Sequence, residues 1–272
     1  MDKKIDYKAV RDDLVNWFKR KFEEGGGRYA IIGISGGKDS TVVAAIACAA
    51  IGRENVIGVM LPDHEQADIE DSIRVQRALG FQSMEINIGP LTKLIYQNVQ
   101  LAINRGCELQ ENVMKMNTPP RIRMTQLRAI ANAIPGGRLI NTSNLSEFLM
   151  GYFTKDGDSC GDLFPLLGLT KSEIVEIGLT FDEIPEDLIR KAPADGLTGK
   201  TDEEVLGIGY DDIDTYIRLH STWFSPAEAP KLEEGMMQKI TNKHLAAMHK
   251  CGPKQIFFLD DNRKNFYGSI TS

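Results

Sequence analysis

The stretch IIGISGGKDST, residues 31–41, carries an apolar run into paired glycines, a lysine and an acid. A strand that breaks into glycines ahead of a helix suits an anion such as a phosphate. Glycines let backbone N–H groups approach closely, and the helix N-terminus adds partial positive charge. Asp39 is the odd member of such a loop, and two readings stand for it. It caps the helix, since Asp favours that position. Alternatively, a divalent cation lies between Asp39 and bound phosphates and turns repulsion into coordination. The loop is not a Walker A motif, because position 32 is Ile and Asp39 stands where the magnesium-binding hydroxyl belongs. Nor does Gly-x-Gly-x-x-Gly lie over GISGGKDS.

Other reactive residue types form no constellation of their own. Cys48, Cys107, Cys160 and Cys251 stand far apart, so neither a disulfide framework nor a zinc site is indicated. His64, His220 and His244 lack metal-ligand spacing, and Met114, Met116 and Met124 read as packing or interface residues. The 272 residues are 42% hydrophobic and 26% charged, which suits a soluble protein with a large core. A formal net charge of -6 disfavours a broad electrostatic nucleic-acid binder. MDKKIDYKAV has no apolar core behind its charges, so no secretory signal is visible. The longest small-apolar run, residues 41–51, is about half of what a bilayer crossing needs. The expected location is cytoplasmic, without nucleic-acid or membrane partners.

The elements that must position the loop alternate between strand and helix. Val10, Leu14, Phe18 and Phe22 recur at helical spacing over 7–22. YAIIGI (29–34) reads as a strand buried on both faces, followed by a helix over DSTVVAAIACAAI. Strands are expected at VIGVML (56–61), MEINI (84–88) and RLINTS (138–143), with helices near 65–79 and 90–104. Pro119-Pro120 reads as the opening of a further helix running to about 134. Beyond it, helices are expected near 170–179, 210–220 and 236–249. This alternation implies α/β architecture with a doubly wound parallel sheet and flanking helices. No repeat or linker interrupts it, so 1–272 reads as a single domain.

SGGKDS resembles the pyrophosphate loop of N-type ATP pyrophosphatases, whose fold is adenine nucleotide alpha hydrolase-like. The second half of the chain narrows the resemblance. NTSNLSEFLMGYFTKDGDSCGDLFPLLGLTKSEI (141–174) is similar to the central signature of NAD synthetases. It carries Thr142, Glu147, Gly151-Tyr152-Phe153-Thr154-Lys155, Gly157-Asp158, Asp162, Pro165 and Thr170-Lys171 in that family's order. Arg121-Ile122-Arg123-Met124, DEEVLGIGYDDID (202–214) and His249-Lys250 match as well. Three positions depart from the pattern: Asp156 replaces an aromatic, Ala194 a hydroxyl residue, and Cys251 a frequent Arg.

The resemblance implies the roles. Ser35, Gly36, Gly37, Lys38, Asp39 and Ser40 line the pyrophosphate loop, although Lys38 fills a free position and equally reads as an exposed lysine. Thr142 and Lys171 match ATP-contacting positions, and Met60 and Leu61 are adenine neighbours. Thr170-Lys171 before Ser-Glu also reads as an ordinary helix start. Asp39 and Glu147 share Mg2+, with ATP as co-substrate. Arg121, Lys155, Asp162, His249 and Lys250 match contacts to nicotinic acid adenine dinucleotide (deamido-NAD). Asp162 is also a natural turn residue, and His249-Lys250 a solvated helix end.

The implied reaction adenylylates the pyridine carboxylate of deamido-NAD, releases pyrophosphate, and lets ammonia displace AMP to give NAD. Glutamine-using NAD synthetases carry an additional amidase domain. Here 28 residues precede the expected first strand and about 20 follow Pro253, while a hydrolytic domain needs on the order of 100. Free ammonia is therefore the expected nitrogen donor. Asp158 is the candidate to hold ammonium and accept its proton, with a structural turn aspartate as the equal alternative. The resemblance also implies a homodimer, with the helices near 90–104 and 119–134 supplying apolar surface.

Overall fold

The computed structural model describes residues 5–65, 69–103, 110–192, 201–221 and 231–251, so Ala194 lies outside the described residues. Its centre is a parallel four-stranded sheet: β1 (Tyr29–Gly33), β2 (Val56–Met60), β3 (Gln82–Glu85) and β4 (Gly137–Ile140), in the order β3-β2-β1-β4. The apolar runs are continuous because successive side chains feed opposite faces. Ala30, Ile32 and Ile34 join one core cluster while Ile31 joins the other. Val56 and Met60 likewise oppose Ile57, Val59 and Leu61.

The first face is covered by α1 (Tyr7–Glu24), α2 (Lys38–Ile51) and α3 (Ile69–Leu79), through residues such as Phe18, Phe22, Ile46 and Val75. The second face packs on α5 (Glu111–Ala133), through Ile122 and Ala131, with α4 (Gly89–Ile103) against α5. Four short helices follow: α6 (Leu145–Met150), α7 (Lys171–Gly178), α8 (Glu186–Arg190) and α9 (Asp202–Leu206). Next come α10 (Tyr210–His220) and α11 (Glu234–Cys251). α7 and α8 complete the first core, whereas α6, α9, α10 and α11 enclose a third cluster around Ile213 and Ile240. Gly58 is required where β2 passes under Phe81, because a Cβ there would collide with the ring. The expected doubly wound sheet is the observed one.

Chain direction places the site. From β1 the strands run outward to β2 and β3, then the chain returns to β4 on the far side of β1. This reversal opens a crevice beyond the carboxyl ends of β1 and β4, where ligands of such sheets bind.

Two expectations about elements are corrected. β3 covers 82–85 rather than 84–88, although Ile86 N–H and Ile88 N–H still donate to Met60 O and Pro62 O. The prolines do not open a helix: Pro119 and Pro120 lie inside α5. Pro119 has no N–H for the Lys115 carbonyl four residues back. The Tyr96 hydroxyl of α4 donates to that carbonyl instead, at 3.1 Å. One of the two carbonyls freed by the prolines thus finds its donor in a neighbouring helix. Among the described residues, no helix is long and apolar enough to cross a membrane.

Candidate active site

At the end of β1 the chain curls through Ser35, Gly36 and Gly37 into α2. Ser35 N–H donates to Ser40 Oγ at 3.3 Å, Gly37 N–H to Ser35 Oγ at 3.2 Å, and Ser40 Oγ–H to Gly37 O at 3.0 Å. Gly36 has φ 78°, and a Cβ there would meet Asp71 Cβ and Ser72 N at 2.9 Å, so only glycine fits. Gly37 is the N-cap of α2 and provides no side-chain cap, which leaves the first turn's donors directed at the crevice. Lys38 is 8% exposed and lines the crevice, so it is not the exposed lysine of the alternative reading. Burial and the nearby Lys171 lower its pKa.

Asp39 does not cap α2, since Gly37 holds that position. Its carboxylate turns across the crevice instead. Lys171 Nζ donates to Asp39 Oδ2 at 2.6 Å and to Glu147 Oε1 at 2.9 Å, and Lys171 is 4% exposed. The two carboxylates therefore converge on a single point. Asn144, the N-cap of α6, accepts Glu147 N–H at 2.9 Å through Oδ1 and donates through Nδ2 to Asp39 Oδ1 at 3.3 Å. Thr170 forms a capping box with Glu173, so the residues before Lys171 are a helix start that also delivers the lysine. Burial raises the Glu147 pKa above the ordinary carboxylate range despite Lys171, and Asp39 adds to the rise. Burial works against the Lys171 ammonium, but Asp39 and Glu147 outweigh it and raise its pKa. The Tyr210 ring lies 5.0 Å from the same ammonium.

The crevice is a cavity of about 490 Å³, within the range of small-molecule sites. Ser35, Gly37, Lys38, Asp39, Ser40, Leu61, Thr142, Glu147, Asp158, Lys171 and Lys250 line it. Met60 points instead into the first core. Asp158 receives Thr154 N–H at 2.7 Å, and burial raises its pKa against that bond. Lys250 Nζ donates to Gly151 O at 2.8 Å and Phe153 O at 2.7 Å, tying α11 to the end of α6. Four expected deamido-NAD contacts lie outside the cavity lining, as does Gly36 of the loop. Arg121 Nε donates to Lys155 O at 3.1 Å, and Lys155 is exposed. Asp162 pairs with Arg128 at 2.6 Å and accepts Leu139 N–H at 2.8 Å, as a residue fastened to β4. His249 is exposed on α11, where its Nδ1 lies 2.9 Å from Ala246 O.

Sequence reasoning missed Asn144, Asp202 and Tyr210. The spacing Asn144-x-x-Glu147 is a capping signal that would have placed Asn144 beside Glu147. Asp202 lines the cavity and accepts the Tyr152 and Tyr210 hydroxyls, both at 3.3 Å, and no local pattern announces that.

The donor set fits a hard divalent cation. Two carboxylates face one point, which the Lys171 ammonium holds, and their outer oxygens beside a phosphate are the ligands Mg2+ takes. Among the described residues no group of three or more His, Cys, Asp or Glu could hold a metal. The remaining ligands would therefore be phosphate oxygens and water.

Comparison with known proteins agrees with the geometry. The chain is 40% identical over 211 residues to an NH(3)-dependent NAD(+) synthetase of Thermococcus sibiricus, covering 77% of this chain and 80% of that protein. It is 33% identical to an NH(3)-dependent NAD(+) synthetase of Methanococcoides burtonii, covering 95% and 98%. The structure of an NMN synthetase from Francisella tularensis superposes with a TM-score of 0.81 at 29% identity, covering 93% of this chain and 99% of that one. Residues 10–253 match the family described as NAD synthase, and the chain belongs to it.

Proposed function

We propose that this chain makes NAD from deamido-NAD, ATP and free ammonia through an adenylylated carboxylate, with AMP and pyrophosphate as the other products. One observation carries the reading: Asp39, Glu147 and Lys171 converge beside the uncapped start of α2, in a member of the NAD synthase family. The chemistry needs that arrangement. A carboxylate is a poor electrophile, so the site must hold the triphosphate and align the acid with the α-phosphorus.

The backbone of Ser35, Gly36 and Gly37 and the Lys38 ammonium would hold phosphate oxygens, with Thr142 and Leu61 lining the nucleotide's path. Asp39 and Glu147 would hold Mg2+, which when bound supplies charge neutralisation at the phosphates. Lys171 keeps the two acids from facing each other as bare anions. Arg121, Lys155, Asp162, His249 and Lys250 stay assigned to deamido-NAD on the resemblance alone. Asp158 is buried with a raised pKa, which suits a group that holds ammonium and takes its proton. One domain in the cytoplasm completes the reading.

The likeness to an NMN synthetase favours a second reading, in which the acid is the mononucleotide counterpart. Purified protein with ATP and Mg2+ should be given deamido-NAD or nicotinic acid mononucleotide, each with ammonium chloride or ammonia-free glutamine. AMP release is expected with deamido-NAD and ammonium, rising toward mildly alkaline pH as ammonium deprotonates. A preference for the mononucleotide would select the second reading. Equal rates with glutamine would refute free ammonia as donor.

A homodimer is part of the proposal. Leu91, Leu94 and Leu101 of α4 and Val113 and Met116 of α5 are between 41% and 74% exposed, a run of apolar surface that water disfavours. Light scattering at assay concentration is expected to give twice the chain mass, and an active monomer would refute the dimer.

A further inference from the structure

Asp214 sits on α10, is 2% exposed, and lies outside the lining of the catalytic cavity. Its carboxylate faces the starts of two other helices. Ser146 Oγ–H, in the first turn of α6, donates to Oδ1 at 2.5 Å. Ser172 N–H and Oγ–H, in the first turn of α7, donate to Oδ2 at 2.8 and 2.6 Å. The two helix starts are also joined directly, because Lys171 N–H donates to Ser146 Oγ at 3.0 Å. Arg218, one turn along α10, donates to Ser172 Oγ at 2.9 Å and completes the junction.

Each serine is the chain neighbour of a site residue. Ser146 precedes Glu147, and Ser172 follows Lys171. A buried carboxylate accepting three hydrogen bonds fixes its donors more firmly than neutral acceptors would. The bonds run to the two turns from which Glu147 and Lys171 project. α6 and α7 are short helices of 6 and 8 residues, with little helical cooperativity to fix their own direction.

We propose that Asp214 is a positioning residue: from α10 it locks the starts of α6 and α7 together, so that Glu147 and Lys171 meet Asp39 at one point. Misplacement of reacting groups by about 1 Å can cost on the order of 100-fold in rate, so a residue that never touches substrate can still govern turnover. The expected kinetic effect rests on the amidation reading above, whereas the positional claim does not.

The test is Asp214→Asn, read in two ways. In the crystal structure of the variant, the Lys171 Nζ–Glu147 Oε1 contact is expected to open beyond about 4 Å, the limit of an ion pair. In turnover of deamido-NAD, kcat is expected to fall about 10- to 100-fold and the half-activating Mg2+ concentration to rise. KM for deamido-NAD should stay within about twofold. A part that is merely structural would lower the melting temperature and leave kcat and the Mg2+ requirement of the folded protein unchanged, and that result would overturn the proposal. If Asp214→Asn fails to fold, the Ser146→Ala/Ser172→Ala double variant removes both side-chain links and leaves only the Ser172 N–H bond to Asp214. It should reproduce the losses, and full activity in it would overturn the proposal. Wild-type protein that does not turn over deamido-NAD would sink the amidation reading instead, and the crystallographic distance would then decide the positional claim.

Discussion

Asp39→Asn is expected to lower AMP release by on the order of 100-fold or more at saturating Mg2+. Metal stabilisation of developing charge is worth several kcal/mol, and each 1.36 kcal/mol is a factor of ten. Asn keeps the size and one oxygen of Asp39 but loses the charge that makes it a cation ligand. The structure separates this effect from folding. Gly37, not Asp39, caps α2, and in the variant Lys171 still has Glu147 at 2.9 Å as a partner. The melting temperature should therefore drop by only a few degrees. Turnover within about threefold of wild type would remove Asp39 from the proposed Mg2+ site, since effects of that size are ordinary for a side chain outside the chemistry.

Lys171→Met is expected to have the largest effect on stability. The lysine is 4% exposed and its ammonium joins two largely buried acids, so its loss leaves them facing each other without a counter-charge. Breaking a buried ion pair from one side costs about 3–5 kcal/mol, roughly 10 °C in melting temperature for a chain of this size. Two further signs follow. Mg2+ without nucleotide should raise the melting temperature of the variant more than that of wild type, because a cation can take the place the ammonium left. Burial already raises the Glu147 pKa in the folded chain. A raised folded-state pKa gives stability that is full below the unfolded value, about 4.3, and is lost as pH rises through the folded value. Removing the lysine enlarges that loss, so the gap between variant and wild type should widen from about pH 5 to about pH 8. A variant that melts with wild type across this range would refute the account. Calorimetry at several pH values, with and without MgCl2, measures all three.

The sheet was legible because β1 and β2 are continuous apolar runs, and the helices over 7–24 and 38–51 are long enough to show their pattern. α6, α8 and α9 were not, since five or six residues cannot display a helical period, and only α6 and α9 carry side-chain caps that announce them. The edge strand β3 is exposed along its whole length, so the apolar residues just after it, ending in the fully buried Ile88, drew the expected strand too late. For the site, the loop at residues 35–40 was readable from glycine chemistry alone. Glu147 and Lys171 drew attention through a resemblance, and neither spacing nor composition shows that they meet Asp39. That meeting depends on β4 returning beside β1, and on contacts between residues 132 positions apart along the chain. Asp162, placed with the substrate on the same resemblance, turns out to be bonded to Arg128 and the Leu139 amide.

Consecutive prolines give α5 a seam. Two successive residues lack the N–H that would tie each to the turn before, and one of the freed carbonyls is served from α4 by Tyr96. Hydrogen-bonded continuity therefore weakens between residues 111–118 and 121–133. The second part is anchored beneath the sheet by Ile122 and Ala131, whereas Val113 and Met116 in the first part are half exposed. Helical segments joined so loosely open as separate cooperative units, each with its own free energy of local unfolding. Met116, Asn117 and Pro120, which wall one side of the cavity, lie at this seam. Amide exchange is therefore expected to be faster over residues 111–118 than over 121–133 or the strands that carry the phosphate loop, and equal protection would refute the seam.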